Sequence, residues 1–409
     1  MMMDSNRKII YAGWIIDGTG RPAHKDRIIE IDGEAVSLIK KPVPEVDLSE
    51  GSIDLSNCTI LPGLIDSHTH LSMSGSLDPE IRNAQITDEY RHAELRIEKH
   101  IRDYLKFGVV AVRDGGDFHA HALRYKNDFN SVKENGVTIY AAGNGWHKKG
   151  RYGQLLGMYL EQGKDLALAI REDFKPGIDH IKIVNSGLNS LKNFGKETAP
   201  QFTAEEIKRT ILTGNDLGLK TMVHANGYEP IKIALEAGCH SIEHGFFMGD
   251  GNIRKMAETG IVWVPTICTM KAYMESLSDH TTEYLIAEKT LHHQLEQVRK
   301  AIEYGVTIAL GTDSGSPGVF HGFSVVEELK LLMDAGLSLE KVVQCGTSNA
   351  FKLAGNDGGG AITSGVPATF IAVKGRPENL PDSLYNVIEV WVRGDRFRRV
   401  PDSMFQIPD

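Results

Sequence analysis

Paired cysteines, long apolar runs and clusters of basic charge are what this sequence has least of. Its four cysteines, Cys58, Cys239, Cys268 and Cys345, stand far apart with no C-x-x-C pair among them. That spacing argues against a disulfide framework or a thiolate zinc site and predicts reduced, buried thiols. No stretch approaches the roughly eighteen apolar residues of a membrane-spanning helix. The opening residues, MMMDSNRK, lack the apolar core of a signal peptide, so a cytoplasmic location is expected. A net charge of −9 argues against nucleic-acid and anionic-membrane partners, both of which reward clustered Lys and Arg. The expected partner is a small-molecule substrate, in a protein expected to form a homo-oligomer.

What is present is ordinary globular composition, 41% hydrophobic and 24% charged over 409 residues, enough for one large domain and a smaller one. The first sixty or so residues read as short strands (8–14, 26–31, 36–39 and 52–55) punctuated by Gly18, Gly20, Gly33 and Gly51. The last fifty or so look alike, with strands at 368–373 and 387–392 and a tight turn at Arg393-Gly394-Asp395. Between them, eight near-continuous apolar runs (60–65, 108–112, 137–141, 180–184, 219–223, 240–242, 261–264 and 306–310) alternate with helical stretches. Runs of this kind are expected of parallel strands covered on both faces. One helix is marked by the capping box Thr203-Ala204-Glu205-Glu206, an apolar side of Ile207, Ile211 and Leu212, and a stop at Gly218. The pattern predicts an α/β fold: a (β/α)8 TIM barrel over 62–355 as the catalytic domain, with a small β-sandwich built from 1–61 and 356–409.

Metal-binding residue types gather at the ends of these runs. The first is followed by Asp66-Ser67-His68-Thr69-His70, and a His-x-His pair on an extended segment turns both imidazoles to one side. The fourth carries Lys182, the fifth and sixth lead to His224 and His244, and the eighth to Gly311-Thr312-Asp313. Singly, each has a plain explanation. Lys182 alone would be a snorkelling lysine, His224 or His244 a satisfied core histidine, Asp313 a turn cap. Together those explanations require six coincidences at the end where barrel enzymes place catalysis.

The segment Leu61-Pro62-Gly63-Leu64-Ile65-Asp66-Ser67-His68-Thr69-His70, Lys182, the two later histidines and Gly311-Thr312-Asp313 resemble the amidohydrolase superfamily. The order and relative spacing of these residues agree, and the likeness covers essentially the whole chain. It implies that His68, His70 and Asp313 hold the more buried of two divalent ions and His224 and His244 the more exposed one. Lys182 would bridge them as a CO2-derived carbamate (N6-carboxylysine). An unmodified ammonium carries positive charge and no free lone pair, whereas a carbamate offers two anionic oxygens. Imidazole-rich ligation favours Zn2+, with Mn2+, Fe2+ and Co2+ also compatible. The implied chemistry is hydrolysis of an amide-type C–N bond by a metal-bridging hydroxide, with Asp313 as general base.

Deaminases of this fold resemble one another in carrying Glu three residues after the fifth-strand histidine. Gly227 stands there in this chain, which favours the binuclear hydrolase over a mononuclear deaminase. The settings of Lys182, His224-Ala225-Asn226-Gly227, Ser241-Ile242-Glu243-His244-Gly245 and Val112-Arg113-Asp114 resemble the branch with Xaa-Pro dipeptidases, imidazolonepropionase and enamidase. An esterase or lactonase on the same centre is the alternative, because one nucleophile serves both bonds. A non-catalytic member would be expected to have lost ligands. Three loop residues are candidates for substrate contact: His147 after the third strand, Tyr228 four residues beyond His224, and His321 after the eighth. Lys148, Lys149 and Arg151 form a basic cluster nearby, and Gly315-Ser316-Pro317-Gly318 a loop suited to shaping a pocket.

Overall fold

A computed structural model describes residues 7–42, 52–129, 135–356 and 358–397. Gly51 and the outermost parts of the expected small domain, 1–6 and 398–409, lie outside the described residues. The chain opens with β1 (Arg7–Ile15), β2 (His24–Asp32), β3 (Ala35–Lys40) and β4 (Ile53–Pro62). The apolar run at 60–65 is not one strand. It splits at Gly63, and β5 (Leu64–Thr69) begins a different sheet. A Cβ on Gly63 would lie 2.4 Å from Cγ2 of Val110, so only glycine lets the chain pass from one sheet to the other at this closeness.

β5, β6 (Val109–Asp114) and β7 (Thr138–Ala141) pair in parallel, and every residue of β5 and β6 is buried. A second sheet begins with β8 (Gly145–Lys148), β9 (Gly157–Leu160) and β10 (His180–Val184). It is completed by β11 (Lys220–Ala225), β12 (Ser241–His244) and β13 (Val262–Val264), all parallel, in the order β13-β12-β11-β10-β8-β9. The third expected strand thus continues past a break at 142–144, β7 pairing back to β6 and β8 forward to β10. The eighth makes a single bridge, Trp263 with Ile308, rather than a ladder. Its backbone is nonetheless tied on both sides, to β13 through Ala309 N–H to the Trp263 carbonyl (2.9 Å) and to β5 through Ser67 N–H to the Leu310 carbonyl (2.9 Å).

Helices occupy the connections, as the alternating pattern predicts. Helix Ala204–Asp216 opens with the expected capping box: Glu206 N–H donates to Thr203 Oγ1 at 3.2 Å and Thr203 N–H to Glu206 Oε2 at 2.7 Å. Ile207 and Ile211 are buried, but Leu212 is 55% exposed. It lies five residues from Ile207, about 140° round the helix, which takes it off the core face. All four cysteines are free and buried. No helix among the described residues is long and apolar enough to cross a membrane.

The chain ends with β14 (Phe370–Lys374), β15 (Val387–Val392) and β16 (Asp395–Phe397), which return to β4. Both ends of the chain therefore share one seven-stranded sheet, β16-β15-β14-β4-β1-β2-β3. Its far parts also meet. Lys8 Nζ donates to the Gly394 carbonyl at 2.6 Å, Arg393 pairs with Glu34 at 2.7 Å, and Ile10, Ile29, Val36, Phe370 and Trp391 share one apolar cluster.

Candidate metal centre and cavity

The parallel strands deliver their polar ends to one place. His68 and His70 sit two residues apart at the end of β5, which sends both side chains to the same face. The nitrogen and carboxylate atoms of His68, His70 and Asp313 lie within 4.8 Å of one another. Asp313 Oδ1 stands 3.5 Å from His68 Nε2 and 3.4 Å from His70 Nε2. Gly311 lets this strand end approach, since a Cβ there would fall 3.0 Å from that of His68 and 2.3 Å from Cγ1 of Val264. Asp313 itself has φ of 61°, a left-handed conformation that aspartate tolerates better than most residues. Ser316 Oγ donates to its other oxygen, Oδ2, at 2.8 Å.

The back of each ring is already engaged. His68 Nδ1 meets Glu243 Oε2 at 2.8 Å, and His70 Nδ1 donates to the Gly116 carbonyl at 2.9 Å. Both Nδ1 atoms are thereby committed, leaving each Nε2 to face Asp313. This is the tautomer and orientation that metal-ligating histidines adopt. Glu243 is in turn held by Arg113, Nη1 to Oε1 at 3.2 Å, and by Ser241 Oγ. Behind β5, Asp66 accepts Tyr104 Oη at 2.8 Å, Thr312 N–H at 3.0 Å and His68 N–H at 3.2 Å. Burial nevertheless raises its carboxyl to about 6.

Lys182, on β10, brings Nζ within 3.2 Å of His68 Nε2 and is 1% exposed. Burial pulls this amine down to about 8, opposed by the charges of Glu243 and Asp313. A lysine so placed is more readily neutral, hence more nucleophilic, than one on the surface. His224 and His244, from β11 and β12, place their rings 4.5 Å apart, and His244 lies 4.8 Å from His68. His244 Nδ1 meets Thr266 Oγ1 at 2.8 Å, and His224 Nε2 the Gly187 carbonyl at 3.4 Å, so each keeps its second nitrogen for another partner. Burial, then the Lys182 charge, holds His68 and His224 below the usual histidine range, so both are lone-pair donors at neutral pH. Burial also opposes charge on His70 and Asp313, but their mutual contact outweighs it, raising the imidazole and lowering the carboxyl.

These six side chains line a cavity of about 300 Å³ together with Gly315, Ser316 and Pro317 of the glycine-rich loop. The donor set fits divalent ions: four imidazoles, one carboxylate, and a lysine able to gain an anionic group.

The three loop candidates for substrate contact are not among the lining residues. His147 lies on β8 rather than in a free loop, buried, with Nδ1 bonded to the Lys148 carbonyl at 3.0 Å. Tyr228 is 44% exposed and packs beside Gly249. His321 stacks on His100 with ring centroids 3.6 Å apart, and its Nε2 donates to the His70 carbonyl at 3.3 Å, bracing β5 from behind. The basic cluster is likewise engaged elsewhere, Lys148 with Glu206, Lys149 with Glu161 and Arg151 with the Ala199 carbonyl. The cavity instead takes Arg82, Tyr152 and Tyr273. No spacing motif marks them, since they come from three separate connections whose paths meet only in the folded chain.

Comparison with known proteins agrees with this geometry. The model of the amidohydrolase family matches residues 59–397. An ochratoxinase of Aspergillus niger is 24% identical over 404 residues, covering 90% of this chain and 81% of its own. An imidazolonepropionase of Alkaliphilus oremlandii is 25% identical over 374 residues, covering 84% and 79%. A solved Xaa-Pro dipeptidase, with methionine bound in its active site, superposes with a TM-score of 0.83 at 30% identity, covering 96% of this chain and 100% of its own. The family match runs from β4 to β16 and takes in every strand end that reaches the cavity. This chain belongs to the amidohydrolase family and is a hydrolase of carbon–nitrogen bonds.

Proposed function

We propose that the chain hydrolyses an amide-type bond at this cavity, with two divalent ions, Zn2+ by preference, held by the six strand-end side chains. His68, His70 and Asp313 would hold one ion and His224 and His244 the other, with Lys182, as N6-carboxylysine, supplying an anionic group to both. The observation that carries this reading is the commitment of both Nδ1 atoms, by Glu243 and by the Gly116 carbonyl, which leaves His68 Nε2 and His70 Nε2 converging with Asp313 Oδ1. When bound, the ions supply an activated water and polarise the carbonyl to be attacked.

The protein's own groups do the rest. Asp313, fixed by Ser316 on one oxygen, presents the other toward the point where His68 and His70 converge. There it takes a proton from the attacking water and passes it to the departing nitrogen as the C–N bond breaks. The buried rings and the apolar lining keep bulk water away and strengthen each charge interaction.

In the same reading the two parallel sheets, β5 to β7 and β8 to β13, close through the segment 306–310 as a (β/α)8 barrel over 62–355. The bonds from 306–313 to both β13 and β5 support this. The seven-stranded sheet, folded so that Gly394 meets Lys8, is taken as a sandwich domain of 1–61 and 356–409. The test is to screen enzyme supplied with zinc and bicarbonate against N-acyl amino acids, dipeptides, lactams and lactones. Turnover of an amide, abolished by a chelator and restored by Zn2+, supports the reading. Turnover of lactones alone overturns the bond assignment.

A further inference from the structure

Among the described residues, Arg82, on helix Pro79–Ile86, is the one cation of the cavity wall besides Lys182. Its Nη1 donates to the carbonyls of Ser74 (2.8 Å), Ser76 (3.4 Å) and Gly315 (2.9 Å). Among the described residues no carboxylate pairs with this guanidinium, and its Nε and Nη2 hydrogens have no acceptor. A half-buried positive charge left without an anion is costly, and the three carbonyls that Nη1 reaches offset it only in part. The open edge of the guanidinium, Nε with Nη2, has the geometry that takes a carboxylate through two parallel hydrogen bonds.

Two further donors face the same space. Tyr152 and Tyr273 line the cavity, and neither hydroxyl has a hydrogen-bond partner among the described residues. Both phenols lie near enough to act on the Arg82 charge, as does Asp313, while burial pulls the guanidinium below its ordinary value. The Tyr152 ring also sits 5.4 Å from that of His224, which links this cluster to the metal centre. A guanidinium with one edge open and no carboxylate among the described residues, beside two hydroxyls without partners there, makes an anion site.

Arg82 donates to the Gly315 carbonyl, two residues beyond Asp313. In the mechanism proposed above Asp313 hands its proton to the departing nitrogen, so the anion is assigned to that half of the substrate. The rest of the wall is largely apolar, with Leu155, Leu156, Leu188, Leu191 and Phe246, and suits an uncharged acyl group.

We propose that Arg82, with the hydroxyls of Tyr152 and Tyr273, binds a carboxylate on the leaving amine, so that the substrates are N-acylated amino acids with an apolar acyl group. The proposal rests on the amide-hydrolase reading above. In the reaction, water's oxygen bonds to the acyl carbon, the C–N bond breaks, and the nitrogen takes a proton. A carboxylic acid and a free amino acid are released.

The test uses a matched pair of probes, N-hexanoyl-L-leucine and N-(3-methylbutyl)hexanamide, which differ only in the carboxylate, on zinc-loaded enzyme. The readout is the ratio of kcat/KM for acid over neutral amide, which a merely structural role of Arg82 would leave unmoved. Wild type is expected to favour the acid by about 100-fold, as sites with a dedicated charged partner do. Arg82→Met should bring the ratio to within a few-fold of unity, and Arg82→Lys should restore part of it. Equal rates in wild type, or an unchanged ratio in Arg82→Met, overturn the proposal while leaving amide hydrolysis intact. Binding of free L-leucine and of 3-methylbutylamine is measured beside it by calorimetry. If neither probe is turned over, the hydrolase reading fails for this pair and the binding arm still decides. L-leucine bound by wild type and lost in Arg82→Met upholds the carboxylate site, and no preference for L-leucine over the amine overturns it.

Discussion

The cavity has two kinds of wall, and they are built on different principles. The end proposed to hold metal is made from strand termini: His68 on β5 and His70 just past it, Lys182 on β10, His224 on β11, His244 on β12 and Asp313 beyond the eighth expected strand. There each imidazole is pinned through one nitrogen, and several of the pinning groups are themselves held, as Glu243 is by Arg113 and Ser241. The other wall comes from connections, where the Nε and Nη2 edge of Arg82 and the hydroxyls of Tyr152 and Tyr273 offer donors with no acceptor among the described residues. The first wall is pre-organised for one chemistry. The second is left unsatisfied, which is what a surface that selects a substrate requires.

If that contrast is right, substitutions at the metal end should act on turnover and metal content, and those at the other wall on preference. The largest effect is expected from Asp313→Asn, which keeps the shape of the side chain but removes its basicity. We expect kcat to fall by about 10³-fold or more, read from steady-state rates on zinc-loaded protein. Near-normal kcat would overturn the role of Asp313 as base. Lys182→Ala comes next, with metal content and activity lost together, measured by elemental analysis beside the assay. Partial rescue by a short carboxylic acid would sharpen the case for a bridging anion.

Glu243→Gln probes the support behind the metal end. It keeps the volume but weakens the grip on His68 Nδ1 and leaves Arg113 without its buried acid. Metal affinity should drop by about 10- to 100-fold, measured by competition with a chromophoric chelator. An unchanged affinity would show that the bracing of His68 does not matter to the centre.

The smallest effect concerns the second wall. Tyr273 sits on helix Cys268–Glu275, which Lys271 ties to Glu327 at 2.8 Å. Burial opposes charge on Glu327, but hydrogen bonds from Lys271 and Tyr385 outweigh it and hold the carboxyl down to about 2. Because the folded pKa lies below the ordinary glutamate value of 4.5, this tie stabilises the protein above that pH and is lost as pH falls toward 2. Glu327→Gln should lower Tm at pH 7 by roughly 1 °C, the size expected of a partly exposed ion pair in a chain this large. The gap between variant and wild type should narrow at pH 3. A gap independent of pH would mean that the tie is not electrostatic.

The same contrast explains what could be read from the sequence alone. The metal end was legible because strands alternate with period two and end together, so His68, His70 and the later strand-end residues declare a common place through spacing. The capping box at Thr203 and the buried, unpaired cysteines were legible for equally local reasons. Proximity to a strand end was a poor guide to the connections. His147 is absorbed into β8, Tyr228 turns to the surface, and His321 braces the His70 backbone from behind. Arg82, Tyr152 and Tyr273 could not be found this way, because a connection's path depends on packing that no local pattern encodes. The split at Gly63 was hidden for a related reason. Continuous apolar character marks burial on both sides of the break, and only the close approach of Val110 divides it.

Metal content tests the whole account most directly. Protein purified with zinc and bicarbonate, dialysed and measured by elemental analysis, should carry about two divalent ions per chain, and the double variant His68→Ala with His70→Ala should lose at least one of them. A wild-type chain that holds no tightly bound ion under those conditions, yet is folded, would contradict the account at its root.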